Sequence, residues 1–149
     1  MKIKKYIPTL IFFIIFLLSR FYILSNPPLY YSDVTHDYEK YANTWWYGLE
    51  PYLEIIFEYP PAAVPLLILP LLLDQYGIGQ FYINYRVQIF IFDLTLFIFI
   101  LKLFSKSKIK PSSKYISLLF FCLVPILAKD FFYEGIDLFF SGLLAIALI

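Results

Sequence analysis

The chain has 149 residues, of which 61% are apolar, 22% aromatic and only 15% charged, with a net charge of +1. Soluble domains carry about 45–50% apolar and about 25% charged residues, so this composition, with a mean hydropathy of +0.74, excludes an ordinary soluble domain. It also excludes disorder, which needs low hydrophobicity. A balanced charge leaves no electrostatic footprint for nucleic acid. The single cysteine, Cys122, excludes an internal disulfide framework and a cysteine-based zinc cluster. The sequence reads as an all-α integral membrane protein forming one module over residues 1–149.

Residues 6–24 are apolar apart from Arg20, and 19 residues fall within the roughly 17–25 that a spanning helix needs. The following Ser25-Asn26-Pro27-Pro28 lacks the small-residue pattern of a signal-peptide cleavage site, so an uncleaved helix is expected. Lys2, Lys4 and Lys5 precede it and put the N-terminus in the cytoplasm by the positive-inside rule. Residues 25–59 then lie outside, with Asp33, Asp37, Glu39, Glu50, Glu54 and Glu58 against Lys40 alone. Residues 60–73 are apolar but hold Pro60, Pro61, Pro65 and Pro70. A run this short is expected to be re-entrant or interfacial. A second span is expected over 81–104. It leads into a cytoplasmic loop, 102–114, with Lys102, Lys106, Lys108, Lys110 and Lys114. A third span returns over 115–128, residues 129–137 are external again, and a fourth span, 136–149, is read as truncated. About four transmembrane helices result, and both acidic external segments face one membrane surface.

Within the first external loop, residues 33–47 read as a short helix stopped by Gly48 and Pro51. Asp33 is expected at its N-cap, accepting an orphan backbone N–H. Asp37 lies four residues on and shares its face, at a like-charge cost of about 0.2–0.5 kcal/mol. A metal, a proton transfer or a cationic partner would explain that pairing; so would a solvated acidic loop. Tyr38, Tyr41, Trp45, Trp46 and Tyr47 interleave with these acids, as in an interfacial amphipathic helix, and such rings also stack on sugars.

Ser32-Asp33-Val34, Tyr38, Ala42, Gly48-Leu49-Glu50-Pro51-Tyr52 and Glu58-Tyr59-Pro60-Pro61 resemble the first luminal loop of GT-C glycosyltransferases. Glycosyltransferase family 87 and its polyprenyl-phosphate-mannose-dependent relatives are nearest. The likeness runs on through Asp93, Pro125 and Gly135-Ile136-Asp137, and covers the amino-terminal part of the family. It implies a GT-C-like amino-terminal module. It also implies inverting transfer of a hexose, mannose foremost, from a polyprenyl-phosphate donor to a glycan, lipid or protein acceptor on the external face. The catalytic base would be Asp33, with Asp37 open as the alternative. Some relatives carry Asp-x-Asp here, and this chain does not. Asp137 matches a second external acid that helps bind a divalent metal or the donor phosphate.

A hydroxyl attacking carbon with loss of phosphate needs a general base and cations for the leaving group. Lys129 and Arg86, expected at external helix ends, are the candidate substrate-binding cations, where ordinary snorkelling also explains them, with Arg20 and His36 as further candidates. Glu58 and Tyr59 are expected to cap the re-entrant segment or approach the donor. Asp93, an acid in mid-span, costs about 2.5–3.5 kcal/mol on insertion scales. It is expected either to act or to be satisfied by Thr95 or Gln88. The expected location is a prokaryotic plasma membrane, multi-pass. Two other readings remain: a transporter or flippase-like protein with Asp93 as the coupling residue, and a truncated non-catalytic membrane fragment.

Overall fold

The computed structural model describes residues 7–26, 32–54 and 56–147. Lys2, Lys4, Lys5, Pro27, Pro28 and the last two residues of the fourth expected span lie outside them. Among the described residues every regular element is a helix. Helix α1 is Ile7–Ser25. A single π-helical turn, Val34–Tyr38, runs directly into α2, Glu39–Trp46. A 3₁₀ turn at Pro61–Ala63 opens α3, Val64–Gln75. The long α4 is Phe81–Lys106 and α5 is Pro111–Leu127. The short α6, Lys129–Phe132, leads to α7, Asp137–Ala147.

Two helices are long and apolar enough to cross a membrane, within Pro8–Ser25 and over Phe81–Lys106. At 1.5 Å per residue α4 is about 39 Å long, more than the roughly 30 Å of bilayer hydrocarbon. Pro61–Gln75 and Pro111–Leu127 are shorter apolar helices.

Helix α4 is the axis. Asn84 donates to the Pro70 carbonyl and Gln88 to the Leu66 carbonyl. As the α4 number rises the α3 number falls, so α3 folds back on the first half of α4 as an antiparallel hairpin. Helix α1 packs on α5 and, less extensively, on α4, while α7 lies along the other side of α4. One core gathers around Val34, Tyr38, Leu67, Phe81, Tyr85 and Tyr133. A second lies nearer the loop between α4 and α5, where Phe16 stacks on Phe97 at 4.3 Å with Leu118 and Cys122 beside them.

The usual inside-out distribution is reversed. Leu18, Phe21, Ile91, Phe120 and Leu127 point outward, whereas Arg20, Arg86, Gln88 and Asp93 are buried. That is the arrangement expected of helices with lipid outside, where polar groups must face the bundle interior.

Candidate functional site

The segment that opens at Ser32 begins on a turn that is already wound. The Ser32 carbonyl accepts the Thr35 and His36 amides at 3.2 and 3.0 Å. Asp33 therefore has helical dihedrals, φ −56° and ψ −31°, and its side chain makes no capping bond. The N-cap role expected for it is corrected on this point: winding starts one residue earlier, and the carboxylate is exposed. π-Turns of this kind are concentrated at functional sites. Asp37 is half-buried, and its Oδ1 lies 3.0 Å from His36 Nδ1.

Two ties hold this segment to the one over residues 133–137. Ser32 Oγ donates to Glu134 Oε2. The Tyr38 hydroxyl lies against the backbone of Ile136 and donates to the Tyr59 hydroxyl at 3.2 Å. Asp33 follows Ser32 directly, and Asp137 follows Ile136. The two exposed acids thus sit on segments bound to each other, over a buried floor of tyrosines. Tyr38 meets Tyr59 edge-on at 5.3 Å and Tyr85 at 5.4 Å. Burial, then the Tyr59 hydrogen bond and charge, push the Tyr38 hydroxyl above its ordinary range; Asp33 adds to this. Tyr85 is wholly buried, its hydroxyl has no partner, and it is within electrostatic reach of Tyr38, Glu134, Tyr59 and Asp137. Sequence reasoning singled out neither Tyr85 nor Glu134.

The cations are not where the sequence suggested. Arg86, expected at headgroup level for substrate, is 3% exposed. Its Nε lies 3.3 Å from Glu134 Oε1, in contact but outside hydrogen-bonding geometry. Its terminal nitrogens donate to the Ile23 and Leu24 carbonyls at 2.9 and 3.4 Å. The last four carbonyls of a helix lack helical donors, and Arg86 serves two of those closing α1. Tyr82 completes the group by donating to Glu134 Oε1 at 3.1 Å. Lys129, at the start of α6, pairs with Asp130 at 2.5 Å.

Deeper in the bundle Arg20 is fully buried. Its Nε donates to Asp93 Oδ2 at 2.7 Å, and Tyr133 donates to the same oxygen at 2.9 Å. The expected partners of Asp93 are therefore corrected. Thr95 bonds its own helix at Ile91, and Gln88 bonds α3. The remaining Arg20 donors go to the Cys122 and Phe121 carbonyls at 2.9 and 3.0 Å and to Ser19 Oγ at 3.1 Å. Phe121 lies four residues before Pro125, which has no N–H to give back to it. Leu66 stands in the same relation to Pro70, and Gln88 supplies its missing donor. A proline thus opens a carbonyl in an apolar helix, and a polar side chain from a neighbouring helix closes it.

No family model, curated protein or solved structure matches the chain.

Among the described residues no three His, Cys, Asp or Glu side chains gather closely enough to hold a metal. Glu58 is exposed. Tyr59 is half-buried and shared, accepting from Tyr38 at its hydroxyl and from Tyr52 at its carbonyl. A lateral groove of about 520 Å³ opens between α5 and α7, lined by Phe120, Val124, Pro125 and Leu138 with Arg20 at its base.

Proposed function

We propose that the chain is the amino-terminal module of a GT-C-type membrane glycosyltransferase with about four spans, acting on the external face with a polyprenyl-phosphate-linked hexose as donor. The observation that carries this reading is the Ser32–Glu134 hydrogen bond, because it joins the segment bearing Asp33 to the one bearing Asp137. Such transfer needs a carboxylate open to an incoming acceptor, and Asp33 is exposed at the edge of a buried, hydroxyl-rich floor. In this reaction the Asp33 carboxylate takes the proton of the acceptor hydroxyl as its oxygen attacks the anomeric carbon. The bond from that carbon to the phosphate oxygen breaks, the electron pair leaves with the lipid phosphate, and the configuration inverts. A positioned general base contributes about 10²–10⁴-fold. Asp37, beside His36, is the alternative base. Arg20 and Arg86 are committed to buried carboxylates and carbonyls, which leaves Lys129, 31% exposed, as the external cation suited to the leaving phosphate.

The test is transfer from radiolabelled polyprenyl-phosphate mannose in membranes containing the chain within its full reading frame. Asp33→Asn is expected to lower transfer by at least about 10²-fold while leaving the amount of folded protein unchanged. Unimpaired transfer by the Asp33→Ala, Asp37→Ala double variant would refute the proposal. Loss of function in Asp93→Asn with none in Asp33→Asn would favour the transporter reading instead.

A further inference from the structure

The external segment carries a second concave feature, away from the acids. Trp45, Tyr52, Val64 and the prolines Pro51, Pro61 and Pro65 line a cleft of about 410 Å³. That is within the roughly 300–1,000 Å³ of small-molecule sites, which are mostly apolar and aromatic with a few polar groups. Tyr52 has φ +71°, the left-handed region that bulky residues avoid and that functional sites tolerate. Its ring is fixed there edge-on against Phe57 at 5.5 Å, and its hydroxyl is tied to the Tyr59 carbonyl. A tyrosine strained, packed and hydrogen-bonded into one pose is a preorganised wall rather than a loose interfacial anchor.

We infer that this cleft binds a neutral oligosaccharide, one sugar ring lying against Trp45 and Tyr52. The walls suit the apolar C–H faces of a pyranose. The flanking acids Glu50, Glu54 and Glu58 are all exposed and offer acceptors to its hydroxyls. Lys40 is the sole Lys or Arg between positions 25 and 80, so the segment that carries the cleft is net acidic and disfavours a phosphate headgroup. Tyr59 links the cleft to the acid pair, since its carbonyl holds Tyr52 and its hydroxyl meets Tyr38. Under the transferase reading, on which only this assignment rests, the cleft is the acceptor side. Binding itself needs no donor and no Asp33.

The chain has two tryptophans, Trp45 and Trp46, so Trp46→Phe leaves Trp45 as the sole tryptophan, inside the cleft and excited selectively on the red edge of the absorption band. In that background the purified chain in detergent is titrated with mannotriose, maltotriose and cellotriose. The expected result is a saturable change in Trp45 emission for at least one of them. Tyr52→Gly relieves the backbone strain and removes the wall, and is expected to weaken binding about tenfold or more with the thermal transition retained. Asp33→Asn is expected to bind normally, which separates failure of binding from failure of transfer. Absence of a saturable response to all three sugars, or an undiminished response in Tyr52→Gly, overturns the inference. So does a Tyr52-dependent response to phosphocholine at lower concentration than to any sugar, which would make the cleft an aromatic cage for quaternary ammonium.

Discussion

Arg20 has Asp93, two carbonyls and three aromatic rings around it. Its guanidinium carbon lies 4.6 Å from the Phe16 centroid, 5.0 Å from Phe132 and 5.3 Å from Phe121. Removing one partner of such a pair leaves a buried charge without compensation, at a cost of about 3–5 kcal/mol. Arg20→Leu is therefore expected to lower stability by that amount in a detergent unfolding titration. Adding Asp93→Leu should recover part of the loss. Recovery stays incomplete because the Phe121 carbonyl remains without its donor. Glu39 supplies a pH signature at the same scale. Burial first, and Asp74 second, raise its carboxyl above the usual range. An acid whose folded pKa is raised favours the fold when protonated. That contribution is present in full below the ordinary glutamate range and is lost as pH rises through the raised value. Glu39→Gln is expected to raise the thermal midpoint at pH 7 and to lose that advantage as pH falls below the ordinary glutamate range.

At the scale of the helix, prolines decide which polar residues sit in apolar surroundings. Gln88→Leu strands the Leu66 carbonyl, at about 1–3 kcal/mol. Pro70→Ala restores an N–H within α3, so Gln88→Leu should cost far less in that background. A double-mutant cycle reads the difference as a coupling of about 0.5–3 kcal/mol; additivity would reject the pairing. The same elements explain what could be read from the chain. The end of α2 was legible because Gly48 adopts φ +92°, a conformation glycine takes without penalty, and Pro51 follows. The cores of α1 and α4 were legible from hydropathy that stays high over 18 residues or more despite Arg20 and Asp93. The partner of Asp93 was not, since Arg20 lies 73 residues away and helical periodicity carries no information about pairing across helices. Arg86 was assigned to headgroups because its position near a helix end says nothing of the Glu134 carboxylate that a later segment delivers. Asp33 and Asp137 came onto one side through the lysines, but the bond joining their segments runs through Ser32 and Glu134, which no local pattern marks. One available signal went unused. A proline inside an apolar helix announces an open carbonyl, and Pro70 and Pro125 between them call for Gln88 and Arg20.

Among the described residues many large apolar side chains face outward, while Arg20, Arg86, Asp93 and Glu134 are buried. The lysines of residues 102–114 and the acids of residues 32–58 sit at opposite ends of the expected topology. Cysteine labelling in intact cells tests this directly. Leu53, 80% exposed, as Leu53→Cys should react with an impermeant maleimide from outside, whereas Lys108→Cys should react only after permeabilisation. The native Cys122 is buried and should stay silent. Equal labelling of both positions in intact cells would reverse or abolish the assigned sidedness.

The partners of Arg20 also constrain timing. Asp93 and the carbonyls of Phe121 and Cys122 follow it by 73, 101 and 102 residues. At about 5–20 residues per second of synthesis, α1 emerges some 5–20 s before its arginine can be satisfied. A lone arginine in lipid is costly, so α1 should remain beside the insertion machinery, its charge hydrated, until α5 arrives. Membrane entry of the first helix is then completed by the third long one, and nascent chains cut short before Pro125 should leave α1 extractable by alkali.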